Sequence, residues 1–312
     1  MNAHHSALRD EISRLKKEKN ALIMAHYYQR DEIQEIADFI GDSLALARKA
    51  AETDADIIVM CGVHFMGETA KILCPDKKVL VPDMAAGCSL ADSCPPEEFE
   101  RFVADHPGYT VVSYVNTSAA VKAHTDIVVT SGNARKIIDS LPKDEKIIFG
   151  PDKNLGGYIN AVSGREMLLW PGACHVHDRF SIKKIQEMKK EHPGAKILVH
   201  PECRRPLQLI ADKVGSTAAL LDFARTDDAS EYIVVTESGI LFEMRRKCPE
   251  KIFLAAPAED SECQCNECDY MKMNTLEKVA AALRDEKPEI KVDPAVAEKA
   301  LKPINRMLEL SR

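Results

Sequence analysis

The sequence predicts an α/β fold of three repeated three-layer αβα sandwich domains, each built on a parallel sheet. Short apolar runs alternate with amphipathic helical patterns, which is typical of parallel sheets covered on both faces. This alternation passes along the chain three times, and the second and third passes both begin with His-Pro-Gly, at 106–108 and 192–194. Three similar units can share one central site, so we expect them to be arranged with pseudo-threefold symmetry around it.

The domain boundaries are predicted to follow these repeats. Residues 1–92 form the first unit with an N-terminal helix, residues 93–178 the second, and residues 179–270 the third. Residues 271–312 form a C-terminal helical segment that packs back on the body. The N-terminal helix carries Leu8, Ile12 and Leu15 on one face, and Asn274 with Glu277 three residues later is typical of a capped helix start.

The predicted strands are the apolar runs of each unit. They are residues 21–25, 56–60 and 78–81, then 110–113, 126–129 and 146–149, then 196–199, 232–235 and 251–254. In the first unit a helical pattern continues through Ile40 and stops at Gly41. Units one and three align without a gap, which puts His26 at the position of His200. Ligands of open parallel sheets bind beyond the carboxyl ends of the strands, so the residues there are candidates for a site.

Composition narrows the classes of partner. The 312 residues include 42 basic and 49 acidic side chains, spread evenly, and the net charge of −7 argues against a nucleic-acid partner. The longest uncharged apolar stretch, near residues 57–66, is too short to span a bilayer, and the first residues lack an apolar signal core. The ten cysteines are too scattered for a disulfide framework. We therefore expect a cytoplasmic protein without a membrane partner, in which thiolates are available to bind a metal.

Three thiols stand within six residues near the C-terminal end, at Cys263, Cys265 and Cys268. Soft thiolates at this spacing suit zinc, copper or an iron–sulfur cluster, and a redox-active pair or plain surface thiols are the alternative. Each unit also places one cysteine after its last predicted strand: Cys88, Cys174, and one of the final three. Three converging sulfurs suit a four-iron cluster whose fourth iron is open to substrate, where it can act as a Lewis acid.

Polar side chains follow the predicted strands at matching places in the three units. They are His26 and Tyr28, Tyr114 and Asn116, Ser131, and His200 and Glu202. A single histidine at a strand end is commonly satisfied by the backbone, but recurrence in three units favours a site. Ser43, Ser131 and Thr217 each stand near a glycine and a predicted helix start. Each alone is an ordinary helix cap, and together they predict a dicarboxylate or phosphorylated ligand.

The other cysteines have a simpler interpretation. They lie in or beside apolar stretches and are expected to behave as small buried hydrophobic residues: Cys61, Cys74, Cys94, Cys203 and Cys248. Cys203 follows Glu202 directly, so it can be near the site without being a ligand.

Motifs in the same order resemble the quinolinate synthase family, the iron–sulfur enzymes of de novo NAD biosynthesis. The resemblance extends from Ala25-His26-Tyr27-Tyr28 to the helix after Asn274. The motifs that carry it are residues 37–43 (ADFIGDS), 61–66 (CGVHFM), 114–117 (YVNT), 151–156 (PDKNLG), 170–172 (WPG) with Cys174 and His177, and 200–203 (HPEC).

This resemblance implies three domains with pseudo-threefold symmetry and a 4Fe-4S cluster on three cysteines. Cys88 and Cys174 lie in the family's ligand motifs, and the third ligand is the cysteine just before residues 269–276 (DYMKMNTL), which is Cys268. The spacing Cys-x-Cys-x-x-Cys departs from the Cys-x-x-Cys-x-x-Cys of some relatives, so a redox role for Cys263 and Cys265 does not carry over.

The resemblance also implies a reaction. Iminoaspartate condenses with dihydroxyacetone phosphate to give quinolinate, with release of phosphate and two waters, and an aspartate oxidase or dehydrogenase is the inferred source of iminoaspartate. The open iron is expected to bind a substrate oxygen and assist loss of hydroxide. The predicted catalytic residues are Glu202, Tyr28, His177 and Tyr114, and those predicted to hold carboxylates and phosphate are His26, Ser43, Tyr114, Asn116, Ser131, His200, Glu202 and Thr217.

Two functions of other classes stay open on the sequence. A zinc-stabilised binding module would use the final three cysteines with His175 or His177. A cluster-dependent hydro-lyase would act on another dicarboxylate and need no triose phosphate.

Overall fold

A computed structural model describes residues 3–259 and 266–312 of the chain. In these residues the strands form three four-stranded parallel sheets flanked by helices, and the predicted fold class of three repeated αβα units is confirmed. Each sheet has the same strand order, with the first two strands exchanged: second, first, third, fourth. The three sheets fall within residues 1–92, 93–178 and 179–270, and the boundaries between the units stay predictions.

The elements of the first unit are α1 (Ala3–Glu18), β1 (Ala21–His26), α2 (Asp31–Ile36), β2 (Phe39–Gly41), α3 (Ser43–Glu52), β3 (Ile57–Cys61), α4 (His64–Leu73), β4 (Lys78–Leu80) and α5 (Ser89–Asp92). Those of the second are α6 (Pro96–Ala104), β5 (Thr110–Tyr114), α7 (Ala119–Lys122), β6 (Ile127–Val129), α8 (Ala134–Ser140), β7 (Ile147–Gly150), α9 (Lys153–Ser163), β8 (Leu168–Leu169) and α10 (His175–Asp178).

Those of the third unit are α11 (Ile182–Glu191), β9 (Lys196–Val199), α12 (Arg205–Leu209), β10 (Lys213–Val214), α13 (Thr217–Thr226), β11 (Glu231–Val235), α14 (Ile240–Lys247) and β12 (Ile252–Ala255). A 3₁₀ turn (Met271–Met273) and two helices, α15 (Leu276–Asp285) and α16 (Pro294–Leu310), complete the chain.

The sequence analysis missed one strand in each unit, namely β2, β8 and β10. These strands are only two or three residues long, so they show no apolar run of their own. The prediction that a helical pattern ends at Gly41 is wrong, since α2 ends at Ile36 and Gly41 closes β2. The corrected strand count also changes where the cysteines stand: Cys88, Cys174 and Cys268 each follow the fourth strand of their unit.

The three units repeat in atomic detail. In each, an aspartate fifteen residues beyond a residue of the first strand accepts that residue's backbone N–H. The pairs are Ile23 with Asp38 (2.9 Å), Val111 with Asp126 (2.8 Å) and Ile197 with Asp212 (2.7 Å). Because the same bond fixes the same connection three times, positions can be compared between units residue by residue.

A second repeated device joins each unit to its neighbour. Gln34, Lys122 and Gln208 are all buried, and they stand eight residues after His26, Tyr114 and His200, respectively. The amide of Gln34 donates to the Gly239 carbonyl of the third unit (2.9 Å), and that of Gln208 to the Asn154 carbonyl of the second (3.5 Å). The Lys122 ammonium instead lies 5.4 Å from the centre of the Phe65 ring of the first unit. One position thus links the three units in a ring.

The terminal helices lie against the first two units. Leu8, Ile12 and Leu15 of α1 are buried in one cluster with residues of α15, while α16 lies against α4, α7 and β6. The predicted cap at Asn274 is wrong, because the Thr275 hydroxyl caps α15 and the Asn274 amide donates to the Gly62 carbonyl. Among the residues described, no helix combines the length and apolar character needed to cross a membrane.

Candidate active site

One cavity, with about 700 Å³ of space that is partly open to solvent, lies beyond the carboxyl ends of the strands. Every side chain predicted for the site lines it: His26, Tyr28, Ser43, Cys88, Tyr114, Asn116, Ser131, Cys174, His177, His200, Glu202, Thr217 and Cys268. A concave site in which apolar side chains surround a few converging polar groups is typical of small-molecule binding. The structure therefore brings the predicted residues together, and their individual roles stay predictions.

All but His177 of these residues occupy four positions repeated in three units. Position one, at the end of the first strand, is His26, Tyr114 and His200, and position two, two residues later, is Tyr28, Asn116 and Glu202. Position three is Ser43, Ser131 and Thr217. Each lies two residues after the residue that runs alongside position one in the neighbouring segment, namely Gly41, Val129 and Gly215. Position four, after the fourth strand, is Cys88, Cys174 and Cys268. The fold thus presents four equivalent positions, three times each, to one cavity.

The three lining thiols are partly buried and free, and each comes from a different unit. Burial raises the pKa of Cys88 to about 12 and that of Cys268 to about 11, and it raises the pKa of Cys174 well above its usual value. Such thiols stay protonated unless a positively charged centre stabilises the thiolate. Three sulfurs from three units are the donor set of a four-iron cluster with one iron not bound by protein. The residues present therefore fit that group.

The remaining cysteines divide into two sets. Cys61, Cys74, Cys94, Cys203 and Cys248 are buried and do not line the cavity, so the interpretation as small hydrophobic residues is confirmed. The Cys203 thiol lies 3.5 Å from the Val235 carbonyl. Cys263 and Cys265 lie outside the described residues.

A second group of possible metal ligands consists of Cys174, His177 and Glu202. Their ligand atoms lie within 4.8 Å of one another, and such a group can hold a single ion.

A hydrogen-bonded chain crosses the cavity wall from Tyr28 to Tyr114. The Tyr28 hydroxyl lies 2.7 Å from Thr236 Oγ1, which lies 2.8 Å from His177 Nε2. His177 Nδ1 is 3.1 Å from one carboxylate oxygen of Glu202, and the Tyr114 hydroxyl donates to the other at 2.5 Å. Five side chains from all three units are thereby linked, which is an arrangement that can move protons between the two tyrosines and the carboxylate.

Burial favours the neutral form of Glu202, Tyr28 and Tyr114, and neighbouring groups reverse this effect for Glu202. Burial alone would raise the pKa of Glu202, but His177, His200 and the Tyr114 hydroxyl outweigh it and hold the pKa below its usual value, so the carboxylate is ionised. Burial raises the pKa of Tyr28 and Tyr114 well above 10, so both phenols stay protonated. The site therefore pairs one buried base with two neutral hydrogen-bond donors.

The histidines at position one are neutral. Burial lowers the pKa of His26 and of His200 to about 3. The Nδ1 atom of His26 accepts the Tyr28 N–H (3.2 Å), and that of His200 faces the Glu202 N–H (3.4 Å), so the proton of each ring belongs on Nε2. His200 Nε2 lies 3.3 Å from the Ser131 hydroxyl. Both rings can thus donate a hydrogen bond without carrying a charge.

The hydroxyls at position three stand at helix starts, although they are not the caps that the sequence suggested. The Asp42 and Ser216 side chains cap α3 and α13, and Ser43 and Thr217 are the first residues of those helices. Ser131 precedes α8, whose N-cap is Asn133. Exposed N–H groups at these starts favour anions. Among the described lining residues there is no lysine or arginine, so neutral donors have to bind any carboxylate or phosphate.

Sequence reasoning missed three residues in contact with the predicted site. Thr236 connects Tyr28 to His177, while Asp152 and Glu237 accept the backbone N–H groups of Cys174 and Cys268. All three follow the ends of β7 or β11. The rule used for β1, β5 and β9, that polar residues beyond a parallel strand face the site, would have found them.

A ring of three α/β units that gathers three thiols and a buried acid–base chain in one cavity defines an enzyme with a candidate metal centre. The family model described as Quinolinate synthetase A protein matches residues 10–309. The chain belongs to this family, and the recognition made from its motifs is confirmed.

Relatives named quinolinate synthase match over nearly the whole chain. The protein of Chloroherpeton thalassium is 53% identical over 312 residues, which are 100% of this chain and 97% of that one. That of Thermosynechococcus vestitus is 54% identical over 96% of this chain and 94% of its own, and that of Trichodesmium erythraeum is 55% identical over 97% and 93%. Among solved structures, the E-1-hydroxy-2-methyl-but-2-enyl-4-diphosphate reductase of Plasmodium falciparum has a TM-score of 0.33 at 11% identity, covering 90% of this chain and 95% of that one, which is too remote a likeness to support an argument.

Proposed function

We propose that the chain condenses iminoaspartate with dihydroxyacetone phosphate to form quinolinate, with release of phosphate and two waters, in the de novo synthesis of NAD. The observation that carries the proposal is the placement of Cys88, Cys174 and Cys268, one from each unit, in the cavity that also holds the Tyr28–Glu202–Tyr114 chain. Membership of the quinolinate synthetase A family supports it.

Cys88, Cys174 and Cys268 would hold a 4Fe-4S cluster as thiolates. When bound, a cluster with three protein ligands supplies a Lewis acid at the iron that the protein leaves open. The thiols are neutral without it, so loading requires that three protons leave the buried sulfurs. Assembly is therefore expected to be favoured as pH rises.

The hydroxyls of Ser43, Ser131 and Thr217 would bind the anionic groups of the substrates, together with Asn116 and the Nε2–H groups of His26 and His200. Each is a neutral donor, and two hydroxyls stand at the first residue of a ten-residue helix, where backbone N–H groups add to the attraction. Neutral donors bind an anion less tightly than lysine or arginine, which suits a site that has to release phosphate. Positioning of the two carbon fragments would come from these contacts.

Glu202 would accept protons and the two tyrosines would donate them. The carboxylate is buried and ionised, so it is able to accept a proton from a bound substrate. Tyr114 is bonded to it directly, and Tyr28 is connected through Thr236 and His177. A proton taken by Glu202 can therefore leave through His177 towards the other end of the cavity.

The proposal extends to the setting of the enzyme. Iminoaspartate would come from an aspartate oxidase or dehydrogenase, and the substrates are small molecules. The enzyme would work in the cytoplasm, because a centre built on three reduced thiols requires a reducing compartment.

Anaerobic purification with iron and sulfide analysis tests the proposal. We expect four irons and four sulfides per chain, a brown colour, and quinolinate from the two substrates together. Glu202→Gln should keep the iron and stop turnover, and normal turnover would remove Glu202 from the mechanism. Zinc as the sole metal would favour the zinc-stabilised binding module. A brown protein that converts another dicarboxylate without triose phosphate would favour the hydro-lyase.

A further inference from the structure

Two of the three candidate cluster ligands are held through their backbone by a buried carboxylate. The Cys174 N–H donates to Asp152 Oδ2 at 3.1 Å, and the Cys268 N–H donates to Glu237 Oε1 at 3.1 Å. Both acidic residues have no exposed surface. A buried carboxyl group destabilises the fold unless its oxygens accept hydrogen bonds. The hydrogen-bond partners of Asp152 and Glu237 therefore indicate what these side chains do.

Asp152 and Glu237 occupy the same place in their units. Asp152 comes two residues after the end of β7, and Glu237 two residues after the end of β11. Each uses its second oxygen on the segment that begins the next helix: Asp152 Oδ1 accepts from Leu155 N at 2.7 Å, and Glu237 Oε2 accepts from Gly239 N at 2.7 Å. One carboxylate therefore connects the helix start beyond the third strand to the cysteine beyond the fourth.

Helix capping alone does not explain these residues. A serine, threonine or asparagine would satisfy one backbone N–H without burying a charge. A carboxylate offers two acceptor oxygens, and in both units the second acceptor is what reaches the cysteine. The first unit lacks this arrangement, since Val63 stands two residues after the end of β3 and offers no side-chain acceptor.

Glu237 is further connected to the segment that carries its cysteine. Lys272, four residues after Cys268, lies 3.0 Å from Glu237 Oε1 and donates to the Tyr28 carbonyl at 2.9 Å. The Cys268 segment is thereby attached to the third unit through Glu237 and to the first unit through Lys272. Asp152 is bonded to backbone N–H groups only, which makes it the simpler of the two to test.

We propose that Asp152 and Glu237 are positioning residues for the metal centre: each fixes the peptide of one ligating cysteine and so holds its sulfur ready for the cluster. This inference rests on the proposed function. Outer partners that orient ligands commonly contribute a factor of 10–100 in metal affinity.

The test replaces each carboxylate by its amide, Asp152→Asn and Glu237→Gln. Replacing a carboxylate by an amide turns one of its two acceptor oxygens into an NH2 donor, so one of the two N–H groups loses its acceptor. Asp126→Asn is the control, because Asp126 accepts the Val111 N–H at 2.8 Å in the same unit as Asp152 and, among the described residues, has no hydrogen bond to a cysteine. The holoenzymes, prepared anaerobically, are compared by the rate of iron transfer to a chelator, the EPR spectrum of the reduced cluster, and the urea midpoint of unfolding.

We expect Asp152→Asn and Glu237→Gln to lose iron roughly tenfold faster or more, with altered EPR spectra. Asp126→Asn should keep the iron release and spectrum of the unaltered enzyme even where its urea midpoint falls. Unaltered iron release and EPR spectra in both amide variants would overturn the inference, as would an equal change in the control. If one amide variant fails to fold, the other decides. An unaltered enzyme that binds no iron would overturn the proposed function and this inference with it.

Discussion

Lys122 allows a quantitative test of how the ring of units is held together. Its ammonium is completely buried and donates to the carbonyls of Val115 and Thr117, the first at 2.8 Å. These carbonyls belong to the turn that follows Tyr114 and carries Asn116. At the equivalent positions, Gln34 and Gln208 close the same turn with neutral amides. The chain therefore contains its own model for a substitution, Lys122→Gln.

Burial lowers the pKa of Lys122 from 10.5 to about 8, an effect that Glu68 and Cys88 partly offset. Because the pKa of Lys122 is lower in the folded state, the unfolded chain binds more protons between pH 8 and 10.5. Burial of Lys122 therefore destabilises the fold most below pH 8 and least above pH 10.5. The full cost corresponds to about 3 kcal/mol, and about 2 kcal/mol of it is relieved between pH 7.5 and 9.5. Against this, two buried carbonyls left without a donor would cost roughly 1–3 kcal/mol each.

Lys122→Gln should therefore be at least as stable as the unaltered enzyme at pH 7.5, because it keeps donors for the turn and buries no charge. Lys122→Met should be the least stable of the three, since it leaves both carbonyls unbonded. Urea unfolding of the anaerobic holoenzymes measures the order. On going to pH 9.5, the unaltered enzyme should gain about 2 kcal/mol relative to Lys122→Gln. A difference that does not change with pH, or a glutamine variant as unstable as the methionine variant, would refute the reasoning.

Three further predictions concern the candidate site. Cys88→Ala should lose the bound iron whereas Cys263→Ala should keep it, and iron analysis showing the reverse would contradict the ligand assignment. Gly172→Ala should destabilise the enzyme by roughly 1–3 kcal/mol, since an added Cβ would lie 2.6 Å from a backbone oxygen; an unchanged urea midpoint would show that the loop can shift. Thr236→Val should lower kcat about tenfold with iron content unchanged, by removing a hydrogen bond between the two ends of the proton path; a normal kcat would rule that path out.

The strands and the site residues were predictable for the same reason. Apolar runs such as 57–61 and 232–235 are strands because both faces of each sheet are buried, and that burial leaves a signal in the sequence. The polar residues at their ends recur because the units repeat, so His26 and His200 could be matched before the fold was known. Choosing Cys268 as the third ligand required the family resemblance, since spacing does not distinguish it from Cys263 and Cys265.

What the sequence did not predict depends on contacts between distant segments. The short strands β2, β8 and β10 form because a longer neighbour offers them backbone partners, not because their residues are strongly apolar. The burial of Lys122 depends on the packing of α7 between two units, and the role of Glu237 depends on Cys268, 31 residues away. Caps were also misplaced by one residue, since Asp42 and Ser216 precede the hydroxyls that line the cavity.

Positions three and four carry the same chemical group in all three units, whereas position two carries three different groups. This difference matches the proposed chemistry. Position four is cysteine in all three units, and position three is a hydroxyl in all three, so the thiols and the anion donors keep the symmetry of the ring. Position two is Tyr28, Asn116 and Glu202, a donor, an amide and a base. A fully symmetric cavity would bind two unlike substrates in three equivalent orientations, and no orientation would have the base at the required carbon. In the proposed reaction the difference at position two would remove that degeneracy, since only one orientation of the substrates would place Glu202 against the proton that leaves.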